Sequence, residues 1–303
     1  MGPIRIFAKK IHKAIQTSYF DYIVWPREVA ERGRVYSQAK EIYVTEGNKS
    51  ESPHLSPEMM RVEVVMPGDT KAFLSLPSEY FELVNKLARD ADEQMKYIKN
   101  ISFAHNPTKI TGEIPELLED LVAYKEKTLV KWHVKDVSTL PAIDEVCHAL
   151  VPLIEKHIYH SYVSVEAPFV YYIRESAVER KGSSLWHSDN HHVDSLKVMI
   201  YLHEVTADMG ALEYLVDQHG VPMYVPVQRP EKYPGGRLNE KEMASLEAEG
   251  YRRVKAIGPC GTTVFFSENM VHRGNIPLSG IRKVLLLQFK PSLKKQTSFI
   301  APS

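Results

Sequence analysis

Between Leu185 and Val205 the chain reads LWHSDNHHVDSLKVMIYLHEV, and the first ten of these residues hold three histidines and two aspartates ahead of an apolar run. Imidazole and carboxylate side chains are ligands for divalent first-row metals. Two His-x-Asp triplets compete for that role, His187-Ser188-Asp189 and His192-Val193-Asp194. Such a triplet is a weak signal by itself. It needs a third ligand from elsewhere, and a barrel can supply one by bringing the loop after one strand beside the end of another. His272 is that candidate. It follows the strand-like GTTVFFSENMV and precedes a turn, RGNIPLSG, after which Arg282 opens another apolar run, IRKVLLLQF.

Two imidazoles and one carboxylate on one side of a metal leave open positions on the other, the arrangement diagnostic of non-haem Fe(II) oxygenases. A bidentate 2-oxo acid and then O2 can take those positions. A guanidinium beyond the metal can grip the far carboxylate of the acid through two parallel hydrogen bonds. Arg282 is placed to supply that fork.

Elements that could carry these residues begin at Ser161. From there the chain shows short apolar runs (APFVYYI, LKVMIYL, ALEYLV, VPMYVPV, TTVFFS and RKVLLLQF) separated by Gly, Pro or charged residues, as expected of strands in an antiparallel barrel or sandwich. The charged stretch 229–255 interrupts them with a Pro234-Gly235-Gly236 turn and a helix expected over Glu240–Glu249, and reads as an insertion over a barrel mouth or a solvated excursion. Upstream, MRVEVVMPGDTKAFLSLP reads as two strands around a Pro-Gly-Asp turn, after a polar loop over Glu46–Pro57. Helices are expected over Ser78–Lys99, Ile114–Trp132 and Ala142–Tyr159. The chain thus reads as one domain over residues 1–303. Residues 1–60 form a basic helix and loop, 60–160 the first strands and supporting helices, and 161–292 a mainly β core.

Composition narrows the function. Lys plus Arg and Asp plus Glu both total 38, so no net charge recommends nucleic acid as a partner. Hydrophobic residues make up 44% of the 303, ordinary for a soluble globular chain, and no apolar run reaches the ~20 residues that span a bilayer. The two cysteines, Cys147 and Cys260, form no Cys-x-x-Cys pair, which points to a reducing, cytoplasmic setting. Residues 3–16 place Ile4, Phe7, Ile11 and Ile15 at helical spacing with Arg5, Lys9, Lys10 and Lys13 between them. That stripe suits docking on the chain's own domain, on a second subunit or on an anionic membrane surface.

The order of motifs resembles the phytanoyl-CoA dioxygenase-like family of Fe(II)/2-oxoglutarate oxygenases. Trp186-His187-Ser188-Asp189 looks like its Trp-His-x-Asp iron motif. MGALEYLVDQH, Met209 to His219, aligns without gaps to the segment that usually reads Asn-Gly-x-Leu and then Pro-Gly-Ser-His. GTTVFFSENMVHRG is similar to the strand and turn carrying the distal histidine, and Arg282 falls where the family has its 2-oxoglutarate arginine. Two departures stand out. Val216-Asp217-Gln218 replaces Pro-Gly-Ser, and Gly274 stands where some members have a serine that helps bind the co-substrate. The resemblance covers roughly residues 169–291.

It implies a double-stranded β-helix, the jelly-roll or cupin-like core, with Fe(II) held by His187, Asp189 and His272, 2-oxoglutarate paired with Arg282, and O2 as oxidant. The implied reaction hydroxylates a small organic or lipid-linked substrate and releases succinate and CO2. Asp189 argues against halogenation, since related halogenases lack this carboxylate. Trp186, and a strand start near Leu196 that would put Asp194 at the strand entrance, favour the first triplet over the second. His191 and His192 then fall on the pocket rim as candidate substrate contacts. His219, Tyr171, Tyr172 and Tyr201 read as structural. Two other readings use the same residues: a zinc hydrolase, which gives Arg282 no task, and a non-catalytic jelly-roll binding protein attached to a membrane or partner.

Overall fold

Strand β11 (Ile281–Ser292) carries an unbroken apolar run, Val284–Leu287, because both of its faces are covered there. Leu285, Leu287 and Phe289 point to one cluster of buried side chains and Val284 to another, so the period-2 alternation separates two cores. The same division runs through β6 (Leu196–Tyr201), where Val198 and Ile200 join the first core and Met199 and Tyr201 the second. In the computed structural model the described residues are 25–48, 62–69, 72, 74–95, 101–103, 106–110, 130–133, 137–174, 182–189, 195–225 and 237–299. The expected basic helix at 3–16 and the second triplet, with His191, His192 and Asp194, lie outside them.

A large antiparallel sheet has the order β1-β9-β6-β11-β5-β4-β2-β3, and a small one the order β10-β7-β8. The strands of the large sheet are β1 (Val62–Val65), β2 (Ile101–Phe103), β3 (Asn106–Ile110), β4 (Val130–His133), β5 (Tyr162–Arg174), β6, β9 (Thr263–Ser267) and β11. Those of the small sheet are β7 (Leu212–Val216), β8 (Arg252–Ala256) and β10 (His272–Gly274). His187 extends the small sheet beyond β10, exchanging two backbone hydrogen bonds with His272 at 2.9 and 2.8 Å. From β5 onward the chain therefore passes large, small, large, small, small, large, small, large. That alternation is a double-stranded β-helix, or jelly-roll.

Helices α1 (Trp25–Thr45), α2 (Ser78–Met95) and α3 (Ala142–Ile154) supply the layer outside the large sheet. Val84, Leu87 and Ala91 of α2 and Ile143, Val146, Leu150 and Ile154 of α3 recur at helical spacing and join the strands' outer face in the first core. Tyr80 is tied to β9 by a 2.7 Å bond between its hydroxyl and Thr263 Oγ1. The second core fills the barrel.

Four expectations change. Among the described residues around Pro67-Gly68-Asp69 only Val62–Val65 is strand; beyond the turn Leu74 donates its N–H to Glu63 Oε1 and leads into α2 through Pro77, which has no donor for a ladder. Of the helix expected over 114–132, residues 130–132 are instead strand: β4 pairs with β5 as Lys131↔Ile173 and Trp132↔Tyr172, and residues 114–129 lie outside the described ones. The described part of VPMYVPV, residues 221–225, makes single bridges, Pro222 to Val216 and Tyr224 to Met270, as proline removes a ladder donor. Finally, residues 252–255, read as the end of an insertion, belong to β8. Their charged side chains are exposed because β8 is the edge strand of the small sheet, which disguised it as a surface excursion. The helix expected at 240–249 forms as α4 (Glu240–Ala248), closed at its start by an Asn239–Glu242 capping box.

After α3 the helix widens over Glu155–Tyr159 and stops at His160, which takes a left-handed φ of 51°. Glu155 is buried there, accepting the Val163 N–H at 3.1 Å. Burial pushes its carboxyl up to about 7, although that hydrogen bond and the Lys295 charge pull it down. A carboxyl raised on folding penalises the folded state increasingly as pH climbs from its ordinary 4.5 through about 7. Glu155→Gln keeps the acceptor without the charge. It is expected to raise stability at pH 8 by on the order of 1 kcal/mol, shrinking towards pH 4.5; denaturant midpoints at the two pH values measure it, and an equal gain at both contradicts the assignment.

Candidate metal centre

The ring nitrogens of His187 and His272 and a carboxylate oxygen of Asp189 all lie within 4.8 Å of one another. Each residue is positioned by a different device. His272 sits on β10, and His187 is held beside it by their paired backbone bonds, with ring centroids 4.5 Å apart. The Asp189 N–H donates to the Glu268 carbonyl at 2.9 Å, which ties the His-x-Asp loop to the end of β9. Trp186 anchors that loop, buried against Leu215, Met243 and Val271 with the Arg273 guanidinium 4.5 Å above its ring. Arg273 is oriented in turn by Glu213, with Nε to Oε2 at 2.6 Å.

The histidine tautomers follow from their partners. Nδ1 of His187 lies 2.7 Å from the Leu185 carbonyl and Nδ1 of His272 lies 2.7 Å from the Met270 carbonyl. A carbonyl only accepts, so both Nδ1 atoms carry the hydrogen, and each Nε2 presents a lone pair. This is the carbonyl support that metal-binding histidines use to fix ring orientation. Both lone pairs face Asp189, at 3.5 Å from His187 Nε2 to Oδ1 and 3.6 Å from His272 Nε2 to Oδ2. These gaps exceed a normal hydrogen bond.

Protonation agrees with that arrangement. Burial pushes the His272 imidazole down to about 4, leaving it neutral at pH 7. For Asp189 burial alone would raise the carboxyl, but the contact with His187 and the charges of His272 and Lys197 outweigh it and hold the group well below the usual carboxylate range. At neutral pH His272 is a neutral imidazole and Asp189 a carboxylate, the forms in which these side chains bind metal.

Arg282 also faces into the barrel, on the side of β11 shared with Val284, and is only 1% exposed. Its Nη1 donates to the Gly210 carbonyl and its Nε has no partner; among the described residues no carboxylate pairs with it. Two glycines make room for the guanidinium. A Cβ on Gly274, two residues after His272, would stand 3.3 Å from Nη2. Gly210 has φ +78°, and a Cβ there would lie 2.8 Å from the Asn275 carbonyl, so no other residue fits the turn that aims this carbonyl at Arg282.

The remaining candidates lie elsewhere or have other partners. His219 stands on an exposed turn after β7. Tyr201 is saturated, its hydroxyl donating to Ala256 O at 2.7 Å and accepting from Leu212 N at 3.2 Å. Tyr172 lies on the outer face of the large sheet, bonded to Asp92 at 2.5 Å, while Tyr171 packs in the barrel. Two residues of the centre escape a motif search: Lys197, whose Nζ lies 2.6 Å from Asp189 Oδ2, and Glu268, 3.1 Å from the same ammonium. Their signal was a lysine at an inward position of an otherwise apolar strand.

No protein-family model and no curated protein matches the chain. Among solved structures it is similar to AviO1 from Streptomyces viridochromogenes Tue57, at 14% identity and TM-score 0.44 over 82% of this chain and 96% of that one. EctD from S. alaskensis with bound Fe gives 14% and 0.42 over 80% and 77%. HygX from Streptomyces hygroscopicus with nickel and 2-oxoglutarate gives 9% and 0.42 over 77% and 84%. At such identities no residue role passes from those proteins to this one.

Proposed function

We propose that the chain is an Fe(II)/2-oxoglutarate-dependent oxygenase in which His187, Asp189 and His272 hold the metal and Arg282 binds the far carboxylate of 2-oxoglutarate. The observation that carries the reading is the pairing of an open two-histidine, one-carboxylate set with a buried guanidinium that has no counter-charge among the described residues. A buried, uncompensated cation is costly, and a dicarboxylate is the kind of ligand that relieves it. The donor set fits Fe(II), and the unpartnered Nε of Arg282 fits an anion. When bound, the iron and 2-oxoglutarate supply the O2-dependent oxidation, with succinate and CO2 as co-products.

The chain's own residues do the positioning. His187 and His272 offer fixed Nε2 lone pairs, Asp189 adds the single negative charge, and Arg282 sets the direction of the co-substrate. The barrel's apolar lining, Met199, Val264, Phe266 and Val284 among it, excludes water. Asp189 favours hydroxylation over halogenation, and the four sequence motifs support the phytanoyl-CoA dioxygenase-like branch, acting on a small organic or lipid-linked substrate. His191 and His192 are the substrate contacts we assign from sequence, and the free Cys147 and Cys260 support a cytoplasmic setting. Residues 3–16 are assigned to a peripheral membrane or subunit contact on their sequence pattern alone; among the described residues no helix is long and apolar enough to cross a membrane.

Anaerobic addition of Fe(II) and then 2-oxoglutarate is expected to produce the visible charge-transfer band of the chelate, followed by succinate release on admitting O2. Absence of the band at saturating ligand sinks the proposal.

A further inference from the structure

We infer that Lys197 is a positioning residue of the metal centre: its ammonium holds Oδ2 of Asp189 and so fixes how that carboxylate is turned towards the two imidazoles, while Glu268 anchors the ammonium. The inference rests on the metal-centre reading above. Lysine is almost never buried unless paired, and this one lies inside a barrel. It shares the inward face of β6 with Met199 and Tyr201, and its side chain is 19% exposed. Its two partners are carboxylates, Asp189 Oδ2 at 2.6 Å and Glu268 Oε1 at 3.1 Å, and Glu268 is only 1% exposed.

The chain builds this arrangement twice over. The backbone bond from Asp189 N to the Glu268 carbonyl brings the two acids together, and β6 and β9, paired as Lys197↔Phe266, set the ammonium next to both. An ion pair kept only for stability has no reason to include a metal ligand. One that does include it fixes how that carboxylate is turned, and a carboxylate can bind a cation through one oxygen or two.

Co(II) alone is the probe, titrated into the whole protein under nitrogen and followed by its d–d spectrum. Wild type is expected to bind one Co(II), and His187→Ala to lose it. Lys197→Met is expected to raise the Co(II) Kd by about 10- to 100-fold, the usual cost of removing a hydrogen-bonding partner of a ligand, and to change the position and intensity of the bands as Asp189 turns. Lys197→Arg is expected to restore both. If Lys197→Met fails to fold, Glu268→Gln, which loosens the anchor, is expected to weaken Co(II) by about 3- to 10-fold with a smaller spectral change. Wild-type affinity and spectrum in folded Lys197→Met, or failing that in Glu268→Gln, overturn the inference. Loss of Co(II) binding in wild type, or its retention in His187→Ala, would instead overturn the metal centre itself.

Discussion

His272→Ala is expected to lower Fe(II) or Co(II) affinity by on the order of 100-fold or more and to remove the charge-transfer band formed with 2-oxoglutarate. Four-ligand sites in small domains bind zinc with roughly 10 to 16 kcal/mol, so one ligand of a comparable set is worth about 3 kcal/mol. Only three protein ligands are available here, and the Nε2 of His272 is already aimed and desolvated, which makes its loss hard to replace with water. The ring also packs 5.2 Å from Phe266, so alanine leaves a cavity. His272→Gln fills more of that space and separates lost ligation from lost packing: both variants should fail to bind metal, and only the alanine should show a clear drop in thermal stability. His192→Ala is the contrasting case. It is expected to keep full metal affinity, and a loss there would transfer the site to the second triplet.

The contrast between the triplets shows how far the sequence carried. The clustering of His187, Asp189 and His272 was legible because a motif stands out where composition changes from polar loop to apolar strand. The jelly-roll was legible for a related reason: six apolar runs, five of which became strands, carry period-2 faces. What stayed hidden was charge inside apolar texture. Lys197 belongs to no motif in LKVMIYL, and the register of β6 against β9 and β11 is what shows it facing inward. The converse error occurred at β8, where Arg252, Arg253 and Lys255 looked like a solvated excursion because β8 is the edge strand of the small sheet and these side chains are exposed. Long-range pairing, absent from local pattern, decided both. Strand β4 adds a third case, in which four residues with weak local preference took their conformation from β5.

The second large effect is expected at Arg282, and its value lies in two changes of opposite kind. Arg282→Leu removes the only cation we assign to the far carboxylate, so the apparent affinity for 2-oxoglutarate should fall by about 2 to 5 kcal/mol, roughly 30-fold to several thousandfold, with Co(II) binding unchanged. An arginine kept for the fold would announce itself by destabilising the protein when removed. This one is 1% exposed, has an Nε without a partner, and is compensated by no acid among the described residues. Among the described residues its hydrogen bond runs to the Gly210 carbonyl, and losing it costs on the order of 1 kcal/mol, which relief of the buried charge offsets. The metal-loaded variant without co-substrate is therefore expected to melt within about 2 °C of wild type. In wild type, 2-oxoglutarate at a hundred times its Kd should add about 2.7 kcal/mol of stability, and in the variant that thermal shift should disappear at the same concentration. Arg282→Lys, which keeps the charge but loses the two-pronged geometry, is expected to recover part of the shift. A marked fall in the melting temperature of Arg282→Leu together with an intact shift from 2-oxoglutarate would show that the guanidinium serves the fold and that the co-substrate is held elsewhere.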